Sequence, residues 1–216
     1  MRFMNAPAPQ LIFSRFKSNL RRVLSLVESF QQLVGGKPLK TSTKYTDLLR
    51  AAVVLLHASL EDLLRSLEEA RIPQQVRDGD GLEGVLFGSP DDRTRKEKLS
   101  LSELARIHRD RHVGDVIQIS LERELSTRTY NNAQDVAQAL HRLGLQLTLS
   151  NHKKGELDVM MKRRHHIAHR ADRQPRATPG RHAALPLKST TVLTWVELVQ
   201  SLSEDLQTQL STRSRT

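Results

Sequence analysis

The sequence predicts an all-α fold, an up-and-down helical bundle with irregular loops. Three observations carry that prediction. Apolar residues recur at three-four spacing in four long stretches, strand-like alternation is scarce, and Gly, Pro and Asn punctuate the gaps. A chain of 216 residues is long enough for one substantial helical domain. Its 38% hydrophobic content allows a core, and its 27% charged content gives a soluble surface.

The first helix is expected over 10–34, where Leu11, Phe16, Leu20, Val23, Leu24, Val27, Phe30 and Val34 fall at helical spacing. Gly35-Gly36 and Pro38 stop it. Arg15, Lys17, Arg21 and Arg22 make its outer side basic. The apolar positions continue past any plausible transit-peptide cleavage site, so a core helix is expected. Met1 to Gln10 lacks the apolar core of a signal peptide, and no run of eighteen apolar residues could span a membrane. The chain has no cysteine, which excludes disulfides, thiolate metal sites and cysteine nucleophiles. That suits a reducing cytoplasm, the expected location.

The second helix, 45–70, has the strongest stripe: Leu49, Ala52, Val53, Leu56, Leu60, Leu63, Leu64 and Leu67. Thr46 or Asp47 can cap it, and Pro73 is expected to close it. His57, Glu61 and Arg50 share one arc of this helix, while Asp62 lies at the opposite border. Residues 73–96 read as a flexible acidic loop. Its Asp78-Gly79-Asp80-Gly81 lacks the further ligands and closing Glu of a calcium loop. Ser100-Leu101-Ser102-Glu103 has capping-box spacing, and Val113 to Leu125 fits either helix or a short strand. Asn131-Asn132 then caps a compact helix carrying Val136, Ala137, Leu140 and Leu143, closed by Gly144.

The remaining long helices are expected at 155–171 and 190–210, with a Pro/Arg-rich loop at 173–188 between them. Val192, Val196, Val199, Leu202, Leu206 and Leu210 keep the last one in register. The whole chain reads as a single domain, residues 1–216, with its core over about 45–210.

The helix at 155–171 breaks its own pattern. At about 100° per residue, Leu157, Met161, Ala168 and Ala171 share one stripe, with Met160 and Ile167 at its edge. Arg164 lands in the middle of it, and His165 and His169 stack on its flank. A guanidinium aimed at a buried face is costly unless an anion meets it, either Glu61 or Asp62 of the second helix, or a phosphate.

The net charge of +10 favours nucleic acid as the partner. With only 4% aromatics, recognition should rest on phosphate contacts rather than base stacking. His165 and His169 have the spacing of two zinc ligands. However, His166 stands where a zincin has Glu, no third ligand is apparent, and Lys162, Arg163, Arg164 and Arg170 repel cations. No metal or cofactor is therefore expected. A basic helix end that merely complements the macrodipole is the bland reading.

RNA cleavage uses the set more fully: a histidine moves the proton and an always-charged guanidinium stabilises the phosphorane. Arg164 and His169 lie about 140° apart around one helix, so they cannot reach one atom unaided. Two copies facing across a two-fold axis would join both pairs in one cleft.

At these residues the chain resembles the HEPN superfamily, whose mark is an arginine, a polar residue, three more residues and a histidine. Arg164-His165-His166-Ile167-Ala168-His169 has that spacing. The surrounding Arg163-Arg164 and Ile167-Ala168-His169-Arg170-Ala171-Asp172 looks like the RiboL-PSP-type HEPN branch. The segments Leu60 to Arg65 and Tyr130 to Leu145 are also similar, so the resemblance spans roughly 45–210.

The resemblance implies a dimeric, metal-independent endoribonuclease that leaves a 2′,3′-cyclic phosphate and a 5′-hydroxyl, often a toxin or an anti-phage effector. Carried over, Arg164 would stabilise the phosphate, His169 would move the proton, and His165 would take the polar place that Asn more often holds. Glu61 would be the supporting acid, and Arg163, Arg170 and Arg173 would bind RNA, such as tRNA or mRNA. A homodimer with a composite site is implied, with an antitoxin or regulatory partner. The rival is a non-catalytic HEPN-like nucleic-acid-binding or adaptor protein whose Arg/His motif organises the dimer.

Overall fold

A computed structural model of the chain describes residues 8–35, 45–77, 125, 128–173 and 184–213. Five helices account for most of them: α1 (Pro9–Val34), α2 (Thr46–Arg77), α3 (Ala133–Arg142), α4 (Asn151–Arg170) and α5 (Ser189–Arg213). Among the described residues there is no strand, only an isolated bridge between Arg173 and Ala184. The acidic stretch after Arg77, the capping box at Ser100, the Val113 segment short of Leu125, and residues 174–183 of the Pro/Arg-rich loop lie outside the described residues.

Ion pairs and hydrogen bonds fix the helix directions. Arg15, near the start of α1, meets Asp62 at 3.0 Å and also Ser66, in the second half of α2. Arg164 in α4 meets Glu61, while Asp172 just after α4 meets Arg50 nearer the start of α2. Gln146 and Thr148, ahead of α4, bond Gln209 and Asp205 late in α5. The four long helices thus run up, down, up and down, with α2 and α5 each touching both α1 and α4. The apolar stripes meet in one core: Phe13, Phe16 and Val27 of α1, Leu56, Leu60 and Leu64 of α2, Met160 of α4, and Val199 and Leu206 of α5. The core therefore extends ahead of residue 45, through α1.

Two boundaries differ from expectation. α2 runs through Pro73 to Arg77 instead of ending before it. Proline removes one hydrogen bond of the helical ladder, and burial of Ala70 and Ile72 carries the helix past that loss. α4 begins at Asn151 rather than near Gly155, because the Ser150 hydroxyl accepts from the Lys153 N–H and caps it there.

The short α3 is tied at both ends. The Asn132 side chain accepts from the Asp135 N–H at 2.9 Å, and Asp158 of α4 accepts from the Ala133 N–H. At its far end Gly144 takes φ 66°, and the Leu145 N–H returns to the Leu140 carbonyl, the Schellman closure that glycine favours. Asn132→Ala should cost about 1 kcal/mol through the lost cap. Thermal melting of the variant beside wild type would show it as a small drop in Tm with the same helix content.

Buried polar groups staple the bundle. Glu68 of α2, fully buried, accepts from Arg128 at 2.8 Å, from Arg142 at 2.8 Å and from the Tyr130 hydroxyl. Burial, together with the Glu68 charge, pushes the Tyr130 phenol far above its ordinary range, so it stays protonated and donating.

Candidate functional site

α4 presents the site because its apolar stripe fails partway along. Leu157, Met160 and Met161 are buried, Arg164 and Ile167 are half-buried, and Ala168 is exposed. The stripe expected through Ala168 and Ala171 thus ends earlier. Alanine is too short to reach the core beyond Arg164. Ala171 is already the C-cap in the left-handed region at φ 47°, out of helical register.

Of the two acids that could meet Arg164, Glu61 does, at 3.7 Å, while Asp62 faces Arg15. The Glu61 carboxylate is held from the other side as well. Its Oε1 accepts from the Tyr130 N–H at 3.4 Å, and its Oε2 lies 3.5 Å from Nδ1 of His57. His57, 1% exposed, donates from Nε2 to the Tyr130 carbonyl at 2.9 Å. Burial pushes the Glu61 carboxyl up. The neighbouring His57 ring, the Tyr130 N–H and the Arg164 guanidinium outweigh burial and hold it below its ordinary value. Glu61 is therefore a fixed anion under Arg164. A long side chain that would otherwise sweep solvent is aimed from a packed helix.

A second anchor lies two residues past the helix end. Asp172 is fully buried, and its Oδ2 accepts from Arg50 Nε at 2.8 Å and from Arg163 Nη2 at 2.7 Å. His166 Nδ1 stands 3.4 Å from its Oδ1. Its backbone carbonyl accepts from the Leu185 N–H at 2.8 Å, closing the return toward α5. Arg50 and Arg163 each also donate to the Leu185 carbonyl. Asp172 sits at φ 57°, so two successive non-glycine residues adopt the left-handed conformation. That geometry costs roughly 1–2 kcal/mol per residue, and the buried charge cluster opposes it.

Arg163, expected to contact RNA, has its guanidinium occupied by Asp172, Leu185 and Pro186. Arg170 and Arg173 are exposed and free to meet solvent. His165 and His169 are exposed as well, on the flank of α4 away from Arg163 and Arg170, their ring centroids 4.4 Å apart and tilted by 45°. The structure thus joins Arg164 to Glu61 and His165 to His169, and it separates Arg163 from the solvent-facing set. Among the described residues no group of three or more His, Asp and Glu is placed to hold a metal ion, and no helix is long and apolar enough to cross a membrane.

Sequence reasoning placed His57 and Arg50 on the arc of Glu61 without giving them partners, and it assigned Asp172 no role. A lone acid closing a run of Arg and His was the available signal for Asp172.

A family model described as RiboL-PSP-HEPN matches residues 17–212. No curated protein and no solved structure matches the chain.

Proposed function

The chain belongs to the RiboL-PSP-HEPN family, and we propose that it is a metal-independent endoribonuclease with its site at the seam of a homodimer. The observation that carries this reading is Arg164, fixed over Glu61 at the point where the core seal ends, with two solvent-facing imidazoles on the adjoining flank.

In the proposed reaction the ribose 2′-oxygen attacks the neighbouring phosphorus while a histidine takes its proton. The P–O5′ bond breaks, and the 5′-oxygen leaves with a proton from the solvent or a second imidazole. The products are a 2′,3′-cyclic phosphate and a 5′-hydroxyl. His169 moves the proton and Arg164 meets the charge that builds on the phosphorane oxygens. His165 supplies the second polar group, and Arg170 and Arg173 draw the RNA backbone in. Arg163 serves the site by holding Asp172 and the end of α4.

Around a single α4 the guanidinium and the His169 ring diverge by about 140°. A partner's α4, packed antiparallel across a two-fold axis, would bring one chain's arginine toward the other's histidine. An activity that cuts cytoplasmic RNA needs restraint, which fits a toxin or anti-phage effector with an antitoxin or regulatory partner.

The test is cleavage of end-labelled tRNA and mRNA by the purified chain in EDTA, with the new ends identified. Cleavage that survives chelation and leaves cyclic phosphate and 5′-hydroxyl ends is expected. A requirement for magnesium, or 5′-phosphate ends, would overturn the mechanism. Salt-sensitive RNA binding with no cleavage would favour a binding protein instead.

A further inference from the structure

We infer that His165 and His169 form a chelating site for a borderline divalent transition ion, zinc foremost, and that its occupancy removes His169 from proton transfer. The binding half stands on the geometry alone. The inhibitory half rests on the ribonuclease reading above.

The other described histidines near the motif have partners: His57 is locked between Tyr130 and Glu61, and His166 faces Asp172. His165 and His169 differ. Both are exposed, and among the described residues neither has a hydrogen-bond or ion-pair partner. Four residues apart on one helix, they project from the same flank one turn above the other. Tetrahedral zinc holds imidazole nitrogens at about 2.0–2.1 Å, which sets the two nitrogens about 3.4 Å apart. The ring centroids stand 4.4 Å apart, tilted by 45°, so the two rings already lie side by side, and rotation about their side-chain bonds is what a shared ion requires. Solvent fills the remaining two positions.

Charge argues less strongly against the site than the sequence alone suggests. Of the four neighbouring cations, Arg163 shares the Asp172 carboxylate with Arg50 and Arg164 meets Glu61, so both stand beside an anion. Lys162 and Arg170 remain, exposed to water and screened by salt. They lower the affinity without closing the site. With only two protein ligands the ion exchanges readily, which suits inhibition rather than permanent structure. Asparagine in place of His165 would leave one imidazole and no chelate, so the pair depends on the residue that sets this motif apart.

The experiment is calorimetric titration of the full chain with zinc chloride, comparing wild type, His165→Ala and His169→Ala. Cleavage by wild type and His165→Asn is then measured with and without zinc. Wild type should bind zinc, and each alanine variant should lose about tenfold or more in affinity. Zinc should slow wild-type cleavage and EDTA should restore it. For His165→Asn, whatever its own rate, the ratio with and without zinc should approach one. Equal binding by all three chains, or none by wild type, would overturn the site. Binding through the pair without slowed cleavage would overturn its inhibitory role. If no chain cleaves RNA, the ribonuclease reading fails, and the titration still decides the chelate.

Discussion

Arg164→Ala and His169→Ala should each reduce RNA cleavage by about 10²–10⁴-fold, the range expected for loss of a transition-state cation or a general acid–base group. The fold should survive both. His169 is exposed and makes no hydrogen bond among the described residues, so its removal leaves nothing unsatisfied. Arg164 is half-buried, but its loss still leaves Glu61 with His57 and the Tyr130 N–H. Single-turnover cleavage in EDTA, with circular dichroism melts as the control, separates the two effects. Activity within a few-fold of wild type in either variant would place the chemistry elsewhere. Because the proposed cleft takes Arg164 from one chain and His169 from the other, mixing the two inactive variants should restore part of the activity.

The pH dependence follows from the same geometry. The Glu61 carboxyl lies below its ordinary value, so its tether on Arg164 is in place above the usual carboxylate range. The tether is lost only as pH falls through that lowered value. Any acid loss of cleavage near neutrality must then come from a histidine rather than from Arg164 coming adrift.

The helices were legible because each long one carries an apolar stripe that answers to period alone, and the observed α1 and α5 lie within a few residues of their expected bounds. Arg164 was legible for the opposite reason: it violates its stripe. Its partner was not. Glu61 and Asp62 are adjacent, one on each border of α2, and only the packing of α1 on one side and α4 on the other assigns Asp62 to Arg15 and Glu61 to Arg164. Arg163 shows the same limit, since its position in a basic run gives no sign of the buried acid nine residues on with which it pairs. Periodicity reports which face a residue occupies, and it is silent on pairings made across helices.

Asp172→Ala should be the most destabilising single exchange near the site. It would strip the shared carboxylate from Arg50 and Arg163, whose side chains are only 11% and 17% exposed. Breaking a buried pair by removing one partner costs about 3–5 kcal/mol. For a chain of this size that is a fall of roughly 6–20 °C in Tm. The left-handed turn at Ala171 and Asp172 would lose the contacts that hold it, freeing the last turn of α4, where His169 sits. Cleavage should therefore fall together with stability, whereas in His169→Ala only cleavage falls. The second exchange Arg163→Met removes one orphaned guanidinium and should recover part of the loss, giving a positive coupling in a double-mutant cycle. Additive losses would instead mean that Arg163 and Asp172 act independently, with the arginine free to meet RNA.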